Sequence, residues 1–210
     1  MLLWINGPFG GGKTQTAHEI QRRLPGSVIC DPEHAGFGLR RMLPPELRHD
    51  FQDLASWRQG VVEVLDLALT KHDGVVIAPM TVTNSGYFAE TVGRLGELGH
   101  DVRHFSLLAQ RETVLKRLRE RGFGHLFQRV AGKNAGLRQE SWAVRQLDHC
   151  LERLCEPEFA EHLWTDQSTV PKTADRIAVL AGLRLRPNNE GALRTRLRQA
   201  GVGIRHIRFD

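Results

Sequence analysis

The segment Gly7-Pro8-Phe9-Gly10-Gly11-Gly12-Lys13-Thr14 constrains this chain more than any other. It matches G-x-x-x-x-G-K-[ST] and stands between a short apolar run, Leu2 to Ile5, and a stretch of helical periodicity beginning at Thr14. Glycines let successive backbone N–H groups turn inward where side chains would obstruct them. A helix that starts at Thr14 aims its positive end at the same point. That combination binds the phosphates of a nucleoside triphosphate, most simply Mg·ATP. Lys13 reaches the β- and γ-phosphates, and the Thr14 hydroxyl can ligate Mg²⁺. The nucleotide-binding residues are therefore expected to be Gly7, Pro8, Phe9, Gly10, Gly11, Gly12, Lys13, Thr14 and Gln15.

The rest of the chain alternates strands with helices. Ser27 to Cys30, Val75 to Ala78, Val102 to Leu108 and His162 to Thr165 read as further strands. Thr14–Leu24, Glu33–Met42, Leu54–Lys71, Tyr87–Leu98, Glu112–Arg121, Ser141–Cys155 and Lys172–Ala181 read as helices. This order predicts an α/β P-loop NTPase fold, with a parallel sheet of about five strands covered on both faces. The expected organisation is a core over 1–185, a lid over about 117–140 and a basic tail over 186–210.

Acids at strand ends narrow the class. Motors and switches of this kind end an apolar strand with an Asp that holds Mg²⁺, but Val75 to Ala78 runs into Pro79-Met80-Thr81. Thr70-Lys71-His72-Asp73 looks like a guanine-reading motif, yet it precedes a strand rather than following one, so it reads as a decoy. The acid that does follow a strand is Asp31. Ligands bind at the carboxyl ends of such strands, so Asp31 should face the same crevice as Lys13. It reads either as a base or a water-mediated Mg²⁺ holder, or as a helix-capping Asp before Pro32.

The net charge of +5 is unevenly placed. Lys116 to Arg138 holds seven basic residues and one acid, Glu120. Arg117 and Arg121 share a helix face. A basic helix followed by a glycine-punctuated stretch reads as a lid that closes over triphosphate, with Lys13, Asp31, Arg117 and Arg121 as the catalytic set. No nucleic-acid recognition module is visible. The three cysteines, Cys30, Cys150 and Cys155, fit no metal or redox spacing and read as structural thiols. No targeting segment or spanning helix is apparent, so a cytoplasmic protein is expected. The tail alternates aliphatic residues with arginine. It suits either peripheral contact with an anionic membrane surface or packing on the core.

Trp4 to Ala17 resembles the opening of the tunicamycin-resistance proteins. So do Asp31-Pro32-Glu33 with Gly36-Phe37-Gly38-Leu39-Arg40, and Val76-Ile77-Ala78-Pro79-Met80-Thr81-Val82. Arg94-Leu95 with His104-Phe105, Ser141-Trp142-Ala143, and Ile204-Arg205-His206-Ile207-Arg208 extend the similarity along nearly the whole chain. The resemblance implies an ATP-binding protein that protects against tunicamycin, an acylated uracil nucleoside antibiotic. It also implies a fold like the nucleoside-monophosphate kinases. The acceptor would then lie between Asp31 and the end of the third strand. Phe37, Arg40, Trp57, Arg58, Met80, Thr81 and Tyr87 are candidate contacts there, with ordinary packing as the alternative for each. Three functions are open at this point: phosphorylation of a tunicamycin hydroxyl with Asp31 as base, ATP-dependent sequestration without chemistry, and a housekeeping sugar or nucleoside kinase.

Overall fold

A computed structural model describes residues 1–120 and 147–189. Five parallel strands lie in the order β2-β3-β1-β4-β5, where β1 is Leu2–Asn6, β2 Val28–Ile29, β3 Val76–Pro79, β4 Val102–Leu108 and β5 His162–Trp164. The helices are α1 (Lys13–Arg23), α2 (Pro32–Met42), α3 (Ala55–Lys71), α4 (85–97), α5 (Arg111–Glu120), α6 (147–154) and α7 (Val170–Leu180). The start of the expected Ser141 helix, lid residues 121–140 and tail residues 190–210 lie outside the described residues.

The alternating side chains of β1 divide the core. Leu2 and Trp4 face one side with Val76 and Ala78, where Trp57, Val61 and Leu65 of α3 and Val92 and Leu95 of α4 cover them. Leu3 and Ile5 face the other side with Ile77, Phe105 and Leu107, beneath Ala17 and Ile20 of α1 and Ala174 and Ile177 of α7. Each large aliphatic side chain buried this way contributes about 1.5–3 kcal/mol, and a strand buried on both faces has to be apolar throughout. All five residues of β1 are buried.

Polar ties finish the packing. Arg23 is bonded to Asp175 of α7 at 2.5 Å and lies 3.7 Å from the buried Glu19. Its Nε also donates to the Arg186 carbonyl at 2.7 Å, and Arg186 N–H donates back to Arg23 O at 2.8 Å. The first residues beyond 185 therefore lie along the end of α1. In α4, residues Ala89–Gly93 form a π turn. Thr91 Oγ1 donates to the Tyr87 carbonyl at 2.7 Å within it, a side-chain bond that competes with the helical ladder. Among the described residues no helix is long and apolar enough to cross a membrane.

His104 sits between Phe88, with ring centroids 4.7 Å apart, and Phe159. Its Nδ1–H donates to Ala160 O at 2.9 Å. Burial pushes its pKa down to about 4; the Ala160 bond opposes this and nearby His162 adds to it. The folded pKa lies below the unfolded value, so the folded state favours neutral imidazole. That stability is present above about pH 6.5 and is lost as pH falls toward 4. His104→Phe keeps an aromatic ring there without the titration. Melting curves between pH 7 and 5 should fall more steeply for the parent than for this variant; parallel curves would contradict the assignment.

Candidate active site

The loop over residues 7–12 leaves β1 at the carboxyl edge of the sheet, and one buried side chain sets its exit. Asn6 Oδ1 accepts from Gly7 N–H at 2.9 Å and from Val82 N–H at 3.0 Å, while Asn6 Nδ2 donates to Val82 O at 2.8 Å. The Thr81 hydroxyl donates to Gly7 O at 2.7 Å. Lys13 Nζ donates to the same carbonyl at 2.9 Å and to Pro8 O at 3.2 Å. The loop is thus braced from both the β3 end and its own lysine.

Gly10 has φ +79°, and a Cβ there would stand 3.0 Å from Leu118 Cγ and 3.1 Å from Val114 Cγ1 of α5. An L side chain is excluded by conformation and by the helix lying across the loop. Gly12, with φ +97°, opens α1 with no side-chain cap and no acid in the first turn. The N–H groups of a first turn need acceptors, and a positive helix end beside a buried lysine suits an anion. The donor set and the uncapped helix start fit a nucleoside triphosphate at Lys13, with the half-buried Thr14 beside it for a divalent cation. Gln15 is 8% exposed and lies in the buried face of α1.

The basic helix is anchored at its base. Asp166 Oδ1 accepts from Gln110 N–H at 2.8 Å. Burial pushes the Asp166 carboxyl up, but hydrogen bonds from Thr113 and backbone N–H groups outweigh this, and its pKa is lowered. Arg117 donates from Nη1 to Thr165 Oγ1 at 3.0 Å and from Nη2 to Thr165 O at 2.6 Å. Arg117 is therefore fixed to the end of β5, while Arg121 lies outside the described residues. Behind the loop, burial raises the Cys150 thiol to about 11, with Lys13 opposing. That leaves a protonated, unreactive thiol at neutral pH.

On the other side of β1, Asp31 follows β2 and caps α2, with Oδ1 accepting from Glu33 N–H at 3.0 Å. Trp57, a candidate contact by sequence, is 1% exposed and its indole N–H donates to Pro32 O at 3.0 Å. Met80 is also 1% exposed. Both are corrected to core, because the apolar face between sheet and α3 closes over them. Thr81 braces the loop instead of lining an open surface. Phe37 packs edge-on against Phe51 at 5.4 Å, and Arg40 is half-buried on the same helix. Tyr87 and Arg58 are brought together. Arg58 lies 4.3 Å from the Tyr87 ring centroid, bonds Glu90 at 2.6 Å and donates to Gln52 O, while Tyr87 OH donates to Asp53 at 2.8 Å.

The tunicamycin resistance protein of Deinococcus radiodurans has this fold with a TM-score of 0.70 and 30% identity, over 89% of this chain and 98% of that one. The chain belongs to the tunicamycin-resistance protein family. Its residues 2–130 also match the AAA domain family model AAA_33, a family of P-loop kinases. Family membership therefore agrees with the resemblance read from sequence. A sugar kinase from Janibacter sp. HTCC2649 (17% identity, TM-score 0.55, over 87% of this chain and 94% of that one) shares the fold. So does an APS kinase from Mycobacterium tuberculosis solved with AMPPNP and APS (16%, 0.56, 86% and 96%). At such identities only the architecture carries over. Among curated protein sequences none matches.

For this family member, sequence reasoning missed Asn6 as a site residue. The only available signal was a polar residue ending an otherwise apolar strand. Asn6→Leu removes three buried hydrogen bonds and leaves Val82 N–H and Gly7 N–H without that acceptor. Denaturant unfolding should show a loss of about 2–4 kcal/mol, and Mg·ATP affinity should fall at least tenfold in a calorimetric titration. A variant with parental stability and affinity would refute the bracing role.

Proposed function

We propose that this chain is an ATP-dependent kinase that inactivates tunicamycin by phosphorylating one of its hydroxyls. The observation that supports the reading is the shared carboxyl edge: the Lys13 loop leaves β1, and Asp31 leaves β2 two strands away in the same parallel sheet. A donor loop and a strand-end carboxylate around one crevice are what phosphoryl transfer to an alcohol requires. The family resemblance supplies the acceptor.

ATP provides the γ-phosphoryl group, and Mg²⁺ bound with it would offset negative charge at the phosphates. Lys13 exchanges the Gly7 and Pro8 carbonyls for phosphate oxygens. The N–H groups at the start of α1 would hold the anion, the Thr14 hydroxyl would ligate the cation, and Asp31 would reach it through water. Asp31 takes the proton as the drug hydroxyl oxygen bonds to phosphorus and the bond to the bridging oxygen breaks, releasing ADP. One edge of Arg117 is held by Thr165, and the charges of Arg117 and Arg121 would stabilise the transferring phosphoryl group. Phe37, Arg40 and the Tyr87–Arg58 pair form the acceptor wall. A phosphate on the drug adds charge to a molecule that mimics a nucleotide sugar. The reaction is placed in the cytoplasm, where ATP is available; the basic tail would bring the enzyme to the membrane that holds an acylated drug.

Mass spectrometry after incubation with Mg·ATP and tunicamycin should show the drug gaining one phosphate. An unchanged mass with tight binding would instead mean sequestration, and no binding would mean a kinase for another small molecule. Asp31→Asn should lower transfer by about 10²–10⁴-fold while sparing ATP binding. Transfer near the parental rate would remove Asp31 as the base.

A further inference from the structure

Polar side chains cross-link three segments beside the proposed acceptor wall. The first is the short 3₁₀ turn Phe51–Asp53, where Asp50 Oδ1 accepts from Gln52 N–H at 2.9 Å. Phe51 presses on α2, since a Cβ at Gly36 would run into its ring. Trp57, at the start of α3, donates to Pro32 O at 3.0 Å. Residues on both sides of Asp53 therefore sit against the first two turns of α2, the helix that Asp31 caps. From α4, Tyr87 OH reaches across and donates to Asp53 Oδ1 at 2.8 Å. That bond is the largest influence raising the Tyr87 pKa, so the hydroxyl stays a protonated donor at neutral pH. Arg58 is near enough to neutralise Asp53 but is directed elsewhere. It donates to Gln52 O, bonds Glu90 at 2.6 Å and lies 4.3 Å from the Tyr87 ring centroid. Glu90 belongs to the π turn Ala89–Gly93, a feature that recurs at functional sites.

We propose that Asp53 is an acceptor-binding residue: its carboxylate receives neighbouring hydroxyl groups of a sugar ring, beside the Tyr87–Arg58 pair on the same wall. This deepens the kinase reading and rests on its placement of the acceptor. Asp53 is exposed, so the core does not need its side chain; Phe51 and Trp57 supply the packing on either side. The Tyr87 hydroxyl fixes the carboxylate without cancelling its charge. A carboxylate has about four acceptor positions and no proton to give, which suits the paired O–H donors of a sugar. It repels phosphate, so its partner is the neutral acceptor and not the nucleotide. Hydrogen bonds to an ionised acceptor are roughly twice as strong as neutral ones. A site built around a hydroxyl depends heavily on that bond.

The test uses the full chain as Asp53→Asn and Asp53→Ala, each first checked by thermal melting. Asparagine still accepts from Tyr87 OH, so Asp53→Asn keeps the cross-link and should melt within about 2 °C of the parent. Calorimetric titration of the Mg·AMPPNP-loaded protein with tunicamycin should show binding weaker by about tenfold in both variants. KM for the drug should rise by a similar factor, with kcat falling less. Affinity for Mg·AMPPNP should stay within about threefold of the parent. Parental drug affinity in Asp53→Asn overturns the assignment; if Asp53→Ala alone weakens binding, Asp53 serves the fold of the wall and not the acceptor. A loss of nucleotide affinity as large as the loss of drug affinity also overturns it. A parent that binds the drug but transfers no phosphate removes the chemistry alone, and the affinities of the two variants then decide for Asp53. A parent that binds no tunicamycin overturns both readings.

Discussion

The hydrogen bonds of one side chain tie the exit of the central strand to the segment that follows β3. Asn6 sits at 0% exposure at the end of the central strand, and its amide is spent on Gly7 and Val82. A buried amide without partners would be costly; with them it locks the exit of β1 to the segment after β3. The phosphate loop inherits that position. Thr81 and Lys13 then converge on the Gly7 carbonyl, and α5 lies over Gly10, where a side chain would meet Leu118 and Val114.

Two halves follow from this anchor. The proposed donor half lies around β1, β4 and β5, with the loop, Lys13 and the Thr165-bound Arg117. The proposed acceptor half lies around β2 and β3. There the carboxylate of Asp31 caps α2, and Arg58 ties the segment before α3 to α4 through Gln52, Glu90 and the Tyr87 ring. The π turn in α4 lies within the same wall, directly after Tyr87.

Much of this was legible in the sequence because it is local. β1, the loop and α1 are marked by a strand, glycines and a helix in immediate succession. β4 falls on Val102–Leu108, the strand expected there. Asp31 after β2 and the lack of an acid after β3 were also readable. What was not legible depends on partners far away in the chain. The bond from Asn6 to Val82 spans 76 residues, and nothing near either residue announces it. Trp57, a helical aromatic and so already a weak acceptor candidate, and Met80 both went to the core, because periodicity cannot tell which residues α3 closes over. Thr81 was placed at the right edge but turned toward the loop, since the free carbonyl it serves exists only once β1 and β3 are paired.

Donor and acceptor are proposed to meet at the carboxyl edge between Lys13 and Asp31. A crystal structure of the full chain with Mg·AMPPNP and tunicamycin tests this most directly. The account predicts Lys13 Nζ on the terminal phosphates instead of the Gly7 and Pro8 carbonyls, and a drug hydroxyl within hydrogen-bonding distance of Asp31 and in line with the γ-phosphate. A drug bound with no hydroxyl near the γ-phosphate, or away from the β2 and β3 ends altogether, would contradict it.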